Sequence, residues 1–423
     1  MRILAVTTKS PYPLNEGRAL RTYNLLRELA REHEVHLVSF VQTREDVEGL
    51  DAMRAFCASV EAEPLYLDHP RLRLLADAAI EPFGDVPLQV VKYRTPGMRR
   101  RLARMLERHR FDAVHLDMLH LAAYLPMFEG TVRVLTEHNV ESALLRRRVE
   151  AETRPLVRAY LRRQADRLAR YEARACAAAD AVVAVSELDA AQLAAMDPAI
   201  RPTVVPNGVD TDYFRAVPGI EPEPGRMVFV GGFTWFPNLD AIRWFAETTL
   251  PRIAAEVPQA KLVVVGRQPD GAAVRALAAD PRIELTGGVD DIRPIVSRAS
   301  VFVVPLRVGG GTRLKILDAL SMGRAIVSTA VGCEGLDVEP GRSILVADTP
   351  EAFAAETVRA LRDRALATRL GTEGRALVER RYDWQVIARD LDGVYRRRDA
   401  AAPRPGPLPT RSAAPSPAGE PTR

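Results

Sequence analysis

Short apolar runs alternate with amphipathic stretches along nearly the whole chain. In the first half the runs cover residues 3–7, 35–41, 113–116, 132–136 and 181–185. In the second half they cover residues 227–230, 261–265, 283–285, 301–304 and 325–328, with 344–346 a weaker one. Runs of this length, bounded by turn residues, read as buried strands. The spacing between them, as in residues 20–32 and 239–256, reads as helix. Strands that alternate with helices predict parallel sheets built of βα units. Two series of such units predict an α/β chain of two doubly wound, Rossmann-like domains. The break between them falls near Val205-Pro206-Asn207-Gly208-Val209-Asp210, ahead of a Pro-rich stretch at residues 218–225.

Three segments stand outside this alternation. Residues 144–179 predict one long helix dense in arginine, from Arg146, Arg147 and Arg148 to Arg174. A second basic cluster holds Lys92, Arg94, Arg99, Arg100, Arg101, Arg104 and Arg108. Neither carries the interleaved aromatics of a nucleic-acid surface. A solvated face explains both, and a patch for anionic lipid ranks next. Residues 399–423 hold Ala, Pro, Ser and Arg with almost no large apolar side chain, which predicts a disordered tail.

Composition narrows the setting. The 423 residues suffice for two ordinary domains, and 47% of them are apolar. The formal charge of +4 is mild, and its basic residues are nearly all arginine, so charge alone does not call for nucleic acid. Cys57, Cys176 and Cys333 are odd in number and far apart, which fits a reducing compartment and no zinc site. The apolar run after Met1 is too short for a signal peptide. No stretch approaches the roughly 18 apolar residues of a spanning helix. The expected location is the cytoplasm, free or at the inner face of the cytoplasmic membrane.

The candidate chemistry gathers after the 301–304 run, in Val308-Gly309-Gly310-Gly311-Thr312-Arg313-Leu314-Lys315-Ile316-Leu317-Asp318. Glycines let a phosphate approach backbone N–H groups closely, and a helix N-terminus favours negative charge. Thr312 suits the N-cap, while Arg313 and Lys315 add full charges. Asp318 lies three residues past Lys315 on the same face, where a carboxylate suits a sugar hydroxyl. In the first half, Gly17 opens a helix directly after the first strand and Arg21 follows one turn later, at the strand end where ligands of parallel sheets bind. Asp117, His120, His138, Asn139 and Glu141 lie near the ends of later strands of that series. Asp210-Thr211-Asp212 imitates a metal motif, but its place after Pro206-Asn207-Gly208 reads as turn chemistry.

Taken together, several stretches resemble family-4 glycosyltransferases of the GT-B fold over roughly residues 1–395. They are the Gly17 loop, Ala184-Val185-Ser186, Pro206-Asn207-Gly208-Val209-Asp210, Gly287-Gly288-Val289-Asp290-Asp291, the Gly309 to Gly323 segment and Arg381-Tyr382-Asp383-Trp384. Gly232-Phe233-Thr234-Trp235-Phe236-Pro237-Asn238-Leu239-Asp240 and Glu137-His138-Asn139-Val140-Glu141 are similar to a bacterial subgroup associated with exopolysaccharide and exosortase systems.

The resemblance implies two Rossmann-like domains facing a central cleft. The first, on the acceptor side, covers residues 1–200 with a returning helix at 384–398, and the second, which binds the nucleotide sugar, covers 201–383. It implies a retaining, hexosyltransferase-type enzyme that moves a sugar from a nucleotide diphosphate sugar to a glycan or polyprenyl-linked acceptor, with no metal and no other cofactor. Arg313, Lys315, His120 and His138 are the catalytic candidates. Gly17, Arg21, Val289, Gly310, Gly311, Thr312 and Asp318 are the donor-binding ones. Asp318 stands where the family has the second Glu of its Glu-x7-Glu motif, and Gly310 stands in place of the first. The family's basic pair is missing from the loop Gly231-Gly232-Phe233-Thr234-Trp235-Phe236-Pro237-Asn238, so Arg313 and Lys315 are expected to supply its charge. A sugar-nucleotide epimerase of the same fold and a non-catalytic nucleotide-sugar-binding protein are the alternatives. A nucleic-acid partner is not expected.

Overall fold

The computed structural model describes residues 1–14, 16–65, 86–269, 271–309 and 314–396. The chain forms two compact units. The first holds Met1–Ala184, Asp189–Thr203 and the chain from Gly393 onward, and the second holds Val185–Leu188 and Val204–Asp392.

The first unit is built on strands β1 (Arg2–Thr7), β2 (Glu34–Val41), β3 (Ser59–Pro64), β4 (Ala113–Asp117), β5 (Val132–Glu137), β6 (Ala181–Ala184) and β7 (Pro202–Val204). They form one sheet in the order β3-β2-β1-β4-β5-β6-β7. Each pair from β3 to β6 is parallel. Ile3, Leu4, Ala5 and Val6 are wholly buried, as expected of a strand covered on both faces. Pairing places Ser39, Thr7, Asp117 and Thr136 side by side, so a polar row marks the carboxyl edge.

The second unit is built on β8 (Glu223–Val230), β9 (Lys261–Val265), β10 (Ile283–Gly287), β11 (Ala299–Val304), β12 (Ala325–Ser328) and β13 (Leu345–Val346). Their order is β10-β9-β8-β11-β12-β13, and every pair is parallel. Side chains alternate between two cores: Met227, Phe229, Leu262, Val264, Val301 and Val303 pack on one face. Val228, Val263, Val265, Phe302 and Val304 pack on the other. In both sheets the strand order turns back next to the first strand, between β1 and β4 and between β8 and β11. Ligands of open α/β sheets bind outside the carboxyl ends at such switch points.

Several expectations change. β3 and β7 carry no clear apolar run: β3 alternates Glu61, Ala62 and Glu63 and is only partly buried, which suits a strand near the sheet margin. β8 begins at Glu223, inside the stretch expected to be a Pro-rich linker, because Glu223 pairs with Ala299 before a register shift. The single Arg-rich helix is two, Glu141–Ala151 and Pro155–Ala178. Pro155 cannot continue a helix from its N-terminal side but is preformed for a first turn. The expected 239–256 helix contains a π turn at Phe245–Thr249, just ahead of Pro251. The last helix, Trp384–Arg396, passes to the first unit only at Gly393. The tail expected to be disordered, residues 399–423, lies outside the described residues. Among the described residues no helix is long and apolar enough to cross a membrane.

Candidate functional site

In the second unit, the helix Leu314–Ser321 buries Ile316, Leu317, Ala319 and Leu320, which leaves Lys315 and Asp318 on its less buried side. Gly310, Gly311, Thr312 and Arg313 lie outside the described residues. The Lys315 Nζ donates to Asn238 Oδ1 at 2.9 Å and stands 4.2 Å from the centre of the Phe229 ring. Asn238 is buried, and its Nδ2 donates to the Gly232 carbonyl at 2.8 Å. A Cβ on Gly231 would lie 2.7 Å from both Lys315 Nζ and Asn238 Nδ2. The ammonium therefore occupies the space directly over the end of β8, at the switch point, and only glycine leaves room for it.

Asp318 keeps some accessible surface, yet the protein around it is dense enough that burial pushes its carboxyl up to about 7. Among the described residues its side chain has no hydrogen-bond or ion-pair partner. A carboxylate so placed is stabilised by a ligand that donates hydrogen bonds to it, as a pair of ribose hydroxyls does. Val289 follows β10 and packs against the core on that side. Arg307, after β11, is committed to Asp240 through two hydrogen bonds, of 2.6 and 3.2 Å. In the Asp210-Thr211-Asp212 turn, Asp210 Oδ1 accepts from the N–H groups of Asp212 and Tyr213, a local cap.

In the first unit, Gly17 opens the helix Gly17–Leu29. Arg21 sits 1% exposed, where burial lowers its pKa to about 10 against the opposing charge of Asp117. The structure thus commits Arg21 to the interior of this unit. The neighbouring Arg18 reaches the carboxyl edge, donating to Thr8 Oγ1 at 2.6 Å and to Glu16 Oε2 at 3.3 Å.

Asp117 ends β4 and is the centre of a buried network. Its Oδ2 accepts from Thr22 Oγ1 at 2.7 Å, and its Oδ1 accepts from His138 Nε2 at 2.6 Å. His115 Nε2 lies 3.8 Å away, and His115 Nδ1 is 2.8 Å from the Tyr395 hydroxyl. Burial pushes the Asp117 carboxyl up, but the charge of His138 and the hydrogen bonds from His115 and His138 outweigh it. The carboxyl is held well below its usual range. Asp117 thereby holds the His138 ring through Nε2, which turns Nδ1 away from the carboxylate. His120, in the 3-10 stretch Leu119–Phe128, is different: burial, then the charges of Lys92 and Arg18, lower it to about 3. It is therefore neutral, and among the described residues its buried Nδ1 has no hydrogen-bond partner.

The structure brings Lys315 and Asp318 together on one helix face, and His138 together with Asp117. Asn238, Arg18, His115 and Tyr395 were not singled out by sequence. Only Asn238 carried a signal, as one of two polar residues, with Thr234, in a loop otherwise apolar and glycine-rich.

The description Glycosyltransferase Family 4 matches residues 17–213, and Glycosyl transferases group 1 matches residues 224–363. The chain belongs to the family-4 glycosyltransferases of the GT-B fold. A GDP-mannose-dependent alpha-(1-6)-phosphatidylinositol monomannoside mannosyltransferase of Mycobacterium tuberculosis is 28% identical over 327 residues, 71% of this chain and 80% of that one. A phosphatidyl-myo-inositol mannosyltransferase of the same organism is 28% identical over 206 residues, 45% of this chain and 53% of that one. Sucrose-phosphate synthase from Thermosynechococcus elongatus shares the fold with a TM-score of 0.66 at 20% identity, covering 94% of this chain and 98% of that one. HepE of Anabaena, solved with UDP and glucose, does so with a TM-score of 0.62 at 14% identity, covering 93% and 98%. The first family match of this glycosyltransferase covers most of the first unit and runs a short way into the second, and the other lies wholly within the second.

Proposed function

We propose that this glycosyltransferase moves a sugar from a nucleotide diphosphate sugar to a lipid-linked or glycan acceptor, with retention at the anomeric carbon. The observation that carries the reading is the Lys315 ammonium over Gly231, with Asp318 one helical turn further on. As the glycosidic bond stretches, negative charge grows on the leaving diphosphate and the sugar becomes cation-like. A fixed ammonium at that oxygen is worth most in the transition state, and removing such a group costs about 100-fold or more. Asp318 holds the ribose, and the backbone at Val289 meets the base. The acceptor hydroxyl attacks from the face the diphosphate leaves, and its proton passes to the departing phosphate. In the first unit, His138 offers Nδ1 to the acceptor. This sequence of steps uses no metal ion.

GDP-mannose is the first donor to test, since it is the donor in the name of the mycobacterial relative. The acceptor side is the first unit. There Leu156 is 87% exposed and Tyr160 48% exposed, one turn apart on the helix Pro155–Ala178 among Arg154, Arg158, Arg162 and Arg163. Apolar side chains within a basic surface suit an anionic bilayer carrying a lipid-linked acceptor, at the cytoplasmic face. Synthesis of exopolysaccharide or another cell-surface glycan is the role in keeping with this. The test is release of nucleoside diphosphate from a panel of nucleotide sugars, with and without polyprenyl-linked glycan. Acceptor-dependent release from one donor is expected, and no acceptor-dependent release across the panel overturns the reading.

A further inference from the structure

We infer that Arg267 binds the donor's diphosphate as the second positive charge of the site, beside Lys315. The inference rests on the nucleotide-sugar reading of the second unit. Arg267 follows β9, the strand next to β8 on the side away from β11, in the sequence Val265-Gly266-Arg267. Its loop is pressed against the Gly231-Gly232 turn by two backbone hydrogen bonds: Gly231 N–H donates to the Val265 carbonyl at 2.7 Å, and Phe233 N–H donates to the Arg267 carbonyl at 2.9 Å. Gly266 permits that approach. Its φ is +142°, and a Cβ there would lie 2.6 Å from the Gly231 carbonyl carbon. A Cβ on Gly232 would in turn meet the Arg267 carbonyl oxygen at 3.3 Å. The Lys315 ammonium thus flanks the glycine pair at Gly231, the Arg267 backbone flanks it at Gly232, and the Arg267 side chain sets out from there.

Among the described residues, two other arginines at this edge are held by carboxylates, while Arg313 lies outside the described residues. Arg307 is held by Asp240 through two hydrogen bonds. Arg293, after β10, is bound by Asp291 and lies 3.8 Å from the Tyr213 ring centre. Arg267 is exposed and, among the described residues, has no carboxylate partner. Its stem lies over Gly288, where a Cβ would stand 3.3 Å from Arg267 Cγ. The loop Gly231 to Asn238 itself carries no charged residue. A doubly charged leaving group at this switch point needs more than one ammonium, and Arg267 offers a forked guanidinium suited to phosphate oxygens.

The test is isothermal titration of the full chain with ADP, GDP and UDP and with the matching nucleosides, comparing wild type, Arg267→Ala, Arg267→Lys and Arg307→Ala. Melting temperatures report that each variant is folded. Arg267→Ala should weaken every diphosphate that the wild type binds by about tenfold or more. The lysine variant should recover part of the loss, Arg307→Ala should match the wild type, and nucleoside binding should be unchanged. Equal affinity of Arg267→Ala and wild type overturns the inference. So does a loss confined to one base, which would make Arg267 a base contact. A wild type that binds no nucleotide in the panel instead overturns the nucleotide reading of the unit, and is distinguishable on that ground.

Discussion

The Lys315 ammonium and the Asn238 side-chain oxygen are 2.9 Å apart, and Asn238 is itself anchored to the Gly232 carbonyl. The charge comes from one helix and its position from another. Lys315→Ala should therefore lower kcat by about 100-fold or more. Asn238→Ala keeps the charge but frees it to wander, and a smaller loss of about tenfold is expected. Steady-state kinetics with the preferred donor separate the two. Wild-type turnover by Lys315→Ala would show that this ammonium is not on the leaving group.

Asp318 should make donor binding depend on pH. Burial raises its carboxyl to about 7 in the free protein. A ribose that donates hydrogen bonds favours the ionised form, so affinity should fall as pH drops below about 7. The nucleotide sugar is the ligand to use, because its diphosphate does not titrate in that range. Asp318→Asn should bind more weakly at pH 8 and lose the pH dependence. The stability sign is opposite: the folded state holds the proton more tightly than the unfolded chain. Stability therefore declines as pH rises from the ordinary value of 3.8 toward about 7. Asp318→Asn without ligand should accordingly melt higher than wild type at pH 8.

Asp117 is a structural charge. Removing it leaves Arg21 and His138 facing a void inside the first unit, and a loss of about 3 kcal/mol or more is expected for Asp117→Ala in denaturant melts. Its carboxyl pKa is depressed, so its contribution is present above the ordinary value of 3.8 and fades as pH falls below it. An Asp117→Ala protein as stable as wild type at pH 7 would mean that the network carries no net stability.

The exposed N-terminal turn of the helix Pro155–Ala178 should govern membrane contact. Leu156→Glu with Tyr160→Glu should abolish sedimentation with anionic vesicles while leaving nucleotide affinity intact. Unchanged sedimentation by the double variant would assign the basic turn to solvent.

Both sheets were largely legible from their apolar runs, because strands covered on two faces, such as β1 and β9, leave few polar positions. The missed strands β3 and β7 are the ones with little burial to mark them. The helix break at Pro155 was written in the sequence but was masked by the continuous run of arginines around it. Of the site, the helix that carries Lys315 and Asp318 was readable, since glycines before an amphipathic turn have few other uses. That Asn238 would receive Lys315 was not, because 77 residues separate them and only the meeting of β8 and β11 brings them together. Arg21 could not be told from Arg18 by type, yet one is interior and the other reaches the edge, a matter of helix phase alone.

Transfer with retention from a nucleotide sugar is the central step proposed for this enzyme. The most direct measurement is the anomeric configuration of the product formed from an α-linked donor, read by proton NMR with and without a chelator present. An α-linked product formed at the same rate in EDTA is the predicted result. A β-linked product, or activity that vanishes with chelation and returns with a divalent cation, would contradict the mechanism built on Lys315.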